Sequence, residues 1–176
     1  MTHHVPDFTT LLRGARSTAV HLEMRDSYAV SGEAEEFEEF KRSGKVNEDP
    51  ESERWAAWVP LVQEAVGRGV VLRRARIVSE PVTDYVRWEH AVTSVNLAAG
   101  ELVRWLPRSR TSAIALPGND FWLIDDRLVL FRWFTGDGTW AGHTFTGDRA
   151  AVRLCSSAFE AVWERGIPHE KYRMAT

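Results

Sequence analysis

Cysteine and lysine are nearly absent from this chain. A single cysteine, Cys155, excludes an internal disulfide and any cysteine-rich zinc centre, and matches the usage of a reducing cytoplasm. Only Lys41, Lys45 and Lys171 are lysine among 22 basic residues, so almost every cation is a guanidinium, a planar fork suited to carboxylates and phosphates. The formal charge is −3, so no overall basic field draws the protein toward nucleic acid or an anionic membrane. No apolar run approaches the roughly 20 residues needed to span a bilayer. Residues 1–7 lack the apolar core of a signal peptide, which sets the expectation of a cytoplasmic protein. Gly-rich phosphate loops are missing as well: Gly136-Asp137-Gly138 stands between two strand-like runs, where a turn accounts for it.

Aromatic surface is what the chain has in quantity. Eight Trp and eight Phe in 176 residues favour a well-packed core or a substantial interface. Val20, Leu22 and Met24 alternate with His21, Glu23 and Arg25, the pattern of a strand with one wet face. Ser31 is the expected N-cap of a short acidic helix that turns Phe37 and Phe40 inward, and residues 44–53 read as a mobile linker. Helical spacing recurs over residues 52–66, with Pro60 expected to kink that helix or open its second half. A strand over 70–78, a helix over 82–99 closed by Gly100, and a short strand over 102–106 follow. Two apolar runs flank Asp125-Asp126-Arg127 and predict a β-hairpin, followed by a strand over 140–145 and a helix capped by Asp148 and ended at Gly166. This order predicts an α/β domain with a mixed sheet and helices packed on it. Residues 1–50 form its N-terminal strand and acidic helix, and residues 51–176 its main part, the whole making one compact unit.

Few residues carry chemistry by type and spacing. Cys155 lies on the apolar stripe of the last helix, where a thiol is inert. His3 and His4 stand at a frayed terminus, and His21 and Glu23 on what reads as a solvated face. Scattered histidines supply no metal site, no cofactor is implied, and no residue reads as a catalytic nucleophile. Asp125 and Asp126 suit a tight turn as well as a cation. The strongest candidate is a ligand site for an anion. Arg74, Arg76, Tyr85 and Arg87 cluster where a strand ends and a helix begins, and Arg104, Asp120, Trp122 and His143 are expected nearby. The competing reading of those arginines is a set of structural Arg–carboxylate pairs. Under the site reading, Arg76→Ala weakens anion binding without unfolding the protein.

The blocks at residues 21–28, 73–85, 96–107 and 119–126 together resemble an actinobacterial domain family of unknown function, across nearly the whole chain. Members resemble accessory proteins encoded near helix-turn-helix regulators, which implies a regulatory or partner-binding role. The element order also resembles one half of a phospholipase-D-like domain. Activity there would need a His-x-Lys-x4-Asp motif, but the hairpin holds Asn119, Phe121 and Asp126, and the chain's one His-x-Lys is His169-Glu170-Lys171. The resemblance therefore implies a version without the covalent nucleophile.

Two functions are expected to compete. One is a non-enzymatic regulatory or sensor module that binds a protein partner, such as a helix-turn-helix regulator or a second copy, or a small anionic ligand. The other is a small enzyme acting on a phosphate- or carboxylate-bearing substrate, with His143, Asp120, Tyr85 and Arg76 brought together by the fold. Direct reading of nucleic acid is disfavoured, since Arg104, Arg108 and Arg110 make only a modest basic patch with no recognition helix.

Overall fold

Seven strands form one mixed sheet in the order β6-β5-β4-β1-β2-β3-β7, in a computed structural model that describes residues 7–29 and 32–175. At its centre β1 (Thr18–Glu23), β2 (Val71–Val78) and β3 (Leu102–Pro107) run parallel. The hairpin β4 (Asp120–Ile124) and β5 (Leu128–Phe134) adds antiparallel strands beside β1, and β6 (Trp140–Thr146) closes that edge. The short β7 (Ile167–Pro168) pairs with β3 at the other edge. α1 (Phe8–Gly14), α2 (Ala34–Ser43), α3 (Trp58–Gly67) and α4 (Asp84–Ala99) contribute to one apolar cluster on one face of the sheet. α5 (Arg149–Arg165) packs on the other face, with Ile114 and Leu116 against the same cluster.

Local chemistry explains most boundaries. Thr83 caps α4 by accepting from Val86 N, and Gly100 ends it at φ 103°, a conformation that favours glycine. Asp148 caps α5 by accepting from Ala150 N and Ala151 N. Pro60 falls in the first turn of α3, where its missing N–H costs nothing, so the helix starts late rather than kinking. The hairpin turn forms as its acidic residues predict: Asp125 and Asp126 take φ 50° and 51°, and the Asp125 carboxylate accepts from the N–H groups of Arg16, Ser17 and Thr18.

Four expectations need correction or placement. His21 and Glu23 do not lie on a wet face; they are 1% and 7% exposed, because α1, α3 and α4 cover that side of β1. α1 and β7 carry too few residues to show a periodic pattern, and sequence reading passed over both. Glu33 stands at the N-cap of α2 without a side-chain cap, while Ser31, His3 and His4 lie outside the described residues. Residues 44–57 hold no regular helix or strand, but they are anchored by buried Trp55, whose indole N–H donates to Asn47 O.

Candidate functional site

The sheet's register builds the site row by row. Side chains alternate between faces, so Arg73 points to α5, where it pairs with Glu160, while Arg74 and Arg76 point to the opposite side. On that side the first row is apolar: Leu72, Ala19 and Ile124 are neighbours across β2, β1 and β4. The second row runs Arg74, His21, Trp122, Leu130 and Phe145 across five strands. A third row has Arg76 beside Glu23 on one half and Asp120, Arg132 and His143 on the other. The sheet face therefore passes from apolar to charged toward the carboxyl ends of β1 and β2.

Above the last two rows lies a cavity of about 550 Å³. Arg74, Arg76, Tyr85, Trp122 and His143 line it, five of the eight residues expected from sequence. Asp120 stands just behind the wall, accepting from Met24 N and from the hydroxyl of Tyr28, which does line the cavity. The other two are elsewhere. Arg87 lies one helical turn from Asp84 and pairs with it at 3.8 Å, turned away from the sheet. Arg104 has the opposite strand parity: it donates to Trp163 O and stacks over the Trp163 ring on the α5 side. The same parity puts Phe121 in the α5 cluster, so the hairpin positions compared above with a His-x-Lys pair do not reach the cavity.

Arg74 and Arg76 are fully committed to protein partners. Arg74 donates to Glu101 at 2.7 Å and to Glu23 at 2.9 Å, while Asn96 holds the other oxygen of Glu101. Arg76 donates to Glu23 at 2.5 Å and to Thr93 Oγ1 at 2.9 Å, with Glu89 Oε1 3.6 Å away. Glu101 thus pairs with Arg74 and not with Arg104, its neighbour in sequence. Burial alone would raise Glu23, but the guanidiniums of Arg76 and Arg74 overcome it and hold the carboxyl well below the usual range. Both arginines resist the opposing pull of burial through the same pairs and stay charged.

Glu89 behaves differently. Burial pushes its carboxyl up to about 8 against the pull of Arg76, so it carries a proton at neutral pH. Burial likewise raises Asp120 to about 6, although the Tyr28 hydroxyl hydrogen bond opposes it. His21 is depressed well below its ordinary value by burial, with Glu23 opposing and Arg74 adding to the effect, so its imidazole is neutral. It stacks on Trp122 at 4.2 Å, and neither ring nitrogen has a hydrogen-bond partner among the described residues. At the rim, Glu33 accepts from Tyr85 OH at 2.9 Å and Arg54 at 3.1 Å.

One cation on the wall has no such partner. Arg132 lines the cavity and makes no side-chain ion pair or hydrogen bond among the described residues; its guanidinium lies over Phe134 at 5.3 Å. Sequence reading passed over it because an arginine within an apolar strand, with no acidic neighbour in sequence, shows neither its face nor its freedom. Glu23, read from sequence as lying on a solvated face, lines the cavity too, as do Glu89, Tyr28, Trp58 and Trp140, which the sequence did not single out as site residues. The described residues contain no cluster of three or more metal-ligating side chains, and no helix among them is long and apolar enough to cross a membrane.

The family model for a domain of unknown function, DUF6879, matches residues 6–174. The chain belongs to that family. No curated protein sequence matches it. Among solved structures, NucT from Helicobacter pylori aligns with a TM-score of 0.51 at 10% identity, over 91% of this chain and 87% of that one. Nuc from Salmonella typhimurium, a phospholipase D family member, aligns at 0.49 and 10% identity over 94% and 88%. TrmBL2, an archaeal chromatin protein, aligns at 0.48 and 14% identity over 90% of this chain, which spans only 48% of that one. At such identities the likeness speaks for the fold alone, an α/β domain with helices packed on a mixed sheet.

Proposed function

We propose that this domain is a binding module for a small anionic ligand, working as a sensor or regulatory unit, with Arg132 as the anchor in the cavity. The observation that carries it is the contrast between cations: Arg54, Arg74 and Arg76 are each paired with carboxylates, and Arg132 is not. Hydrogen-bond demand leans the same way. Glu23, Glu33 and Glu101 already accept from side-chain donors, while the buried indole N–H groups of Trp58 and Trp88, both on the cavity wall, have no acceptor among the described residues. A ligand rich in acceptors meets that demand. The test is thermal unfolding at constant ionic strength with a panel of small carboxylates, phosphates and sulfonates. Binding to the native state raises the melting temperature, and Arg132→Met should abolish the shift. A panel that leaves the wild-type melting temperature unmoved sinks the proposal.

A small enzyme acting on an anionic substrate is the second reading, and Glu89 is the observation that favours it. A protonated carboxyl beside Arg76 on a cavity wall is a reasonable proton donor. The grouping expected from sequence is less apt, because Arg132 stands between Asp120 and His143 in the cross-strand row. Turnover abolished by Glu89→Gln with binding retained would favour this reading.

A further inference from the structure

The wall facing Arg132 is aromatic, and its arrangement narrows the ligand. Trp122 is the centre of an inner group: Phe8 lies 4.6 Å from it, His21 4.2 Å and Trp58 5.9 Å, measured between ring centroids. Across the cavity stands an outer group on β6, where Trp140 stacks near His143 at 5.8 Å and His143 meets Phe145 edge-on at 5.2 Å. Trp140 remains 51% exposed although it lines the cavity, a large indole left without a full set of packing neighbours. Leu130 forms the floor between the two groups, in register with Trp122 on one side and Phe145 on the other. Arg132 is two residues further along the same strand and on the same face. Its Cα is therefore about 7 Å beyond that of Leu130. The site thus sets one guanidinium at the edge of a slot with aromatic sides.

Charge sets the second limit. Asp120 is the cross-strand neighbour of Arg132, and Glu23, Glu33 and Glu89 stand around the same space. A single negative charge finds its match in the free guanidinium, and a carboxylate can meet the fork with two parallel hydrogen bonds. The second charge of a dianion would find no unpaired cation among the described lining residues and would face the carboxylates of Glu23 and Glu33.

We infer that the ligand is a planar aromatic monocarboxylate, its ring held between the Trp122 and Trp140 walls over Leu130 and its carboxylate on Arg132. The inference rests on the anion-binding reading above and goes beyond it in naming the ligand's shape and charge. Stacking on two walls distinguishes a flat ring from a puckered one of similar bulk, by up to about tenfold in affinity.

Isothermal titration calorimetry of the full chain tests it with five probes: 2-naphthoate, cyclohexanecarboxylate, acetate, 2-naphthyl phosphate and tetramethylammonium. The expected result is 2-naphthoate binding more tightly than every other probe, by severalfold up to about tenfold over cyclohexanecarboxylate. Trp140→Ala, at a half-exposed position that leaves folding unchanged, should weaken naphthoate severalfold and acetate little. Naphthoate binding no tighter than cyclohexanecarboxylate overturns the planar ring, and tighter binding of naphthyl phosphate overturns the single charge. In both cases the anion site itself survives. Binding of tetramethylammonium alone, or of no anion at all, overturns this inference together with the reading beneath it.

Discussion

Arg76 and Arg132 are both arginines on the cavity wall, and the structure assigns them opposite roles that unfolding experiments separate. Arg76 is 7% exposed and bonds Glu23 at 2.5 Å and Thr93 at 2.9 Å, with its guanidinium over Trp105 at 5.0 Å. Arg76→Met removes one of the two cations that compensate buried Glu23. Taking one partner from a buried ion pair typically costs about 3–5 kcal/mol, because the remaining charge is left uncompensated. Arg74 still bonds the other Glu23 oxygen, so the lower half of that range is expected. For a chain of this length, about 3 kcal/mol corresponds to a fall of roughly 6–12 °C in melting temperature. Arg132→Met removes no ion pair and should cost no more than about 0.5 kcal/mol. Urea unfolding followed by tryptophan fluorescence and by far-ultraviolet circular dichroism reads both variants. A loss below about 1 kcal/mol for Arg76→Met would refute the structural assignment, as would equal losses for the two variants. The sequence-based expectation that Arg76→Ala spares folding is thereby reversed.

Three further predictions follow from buried groups. Glu89 holds its proton to about pH 8 when folded but to about 4.5 when free, so stability is fullest below 4.5 and declines as pH rises to 8. Glu89→Gln should remove that decline, worth a few kcal/mol at about 1.4 kcal/mol per pH unit, and parallel stability–pH curves for the two proteins would contradict it. Burial raises Asp125 but the N–H groups of Thr18, Ser17 and Arg16 pull it down to about 2; its contribution is present above pH 4 and is lost as pH falls through 2. Asp125→Ala should cost about 1–3 kcal/mol at pH 7, and the gap from wild type should close in strong acid. Burial pushes the Cys155 thiol up to about 12, so a thiol reagent at pH 8 should label it only in denaturant; rapid labelling of the native protein would show that α5 does not cover it.

The parts of the fold that sequence made legible are those coded by neighbours in the chain. Gly100 closes α4 and Asp148 opens α5 through contacts a few residues long, and Asp125-Asp126 supplies the left-handed backbone of the hairpin turn. The site was legible only in part, because its logic is cross-strand. His21 and Glu23 look solvated when β1 is read alone. Their burial makes sense only once the parallel register sets Arg74 against His21 and Arg76 against Glu23. The alternation Arg74-Ala75-Arg76 was the available signal, since two arginines on one face of a buried strand require carboxylates on the next. Arg87 and Arg104 were drawn into the expected cluster by closeness in sequence, which helix turn and strand parity then undo.

The buried charges also bear on why the cavity exists. An ion network of this kind is weak evidence for stability, since replacing such a pair by apolar groups of similar volume is often neutral or stabilising. Glu23 and Arg76 provide the case to measure. Removing either alone strands a charge, but the double variant Glu23→Met/Arg76→Met leaves Arg74 bonded to Glu101 at 2.7 Å and leaves Glu89 free to stay protonated. Its stability should therefore lie within about 1 kcal/mol of wild type although each single change costs about 3, a coupling between contacting residues that a double-mutant cycle reads directly. Additive losses would mean that the two side chains contribute through separate contacts rather than as one pair. If the coupling is found, Glu23 and Arg76 are dispensable for folding when removed together. Their retention on the wall of an open cavity then has to be explained by what the cavity holds.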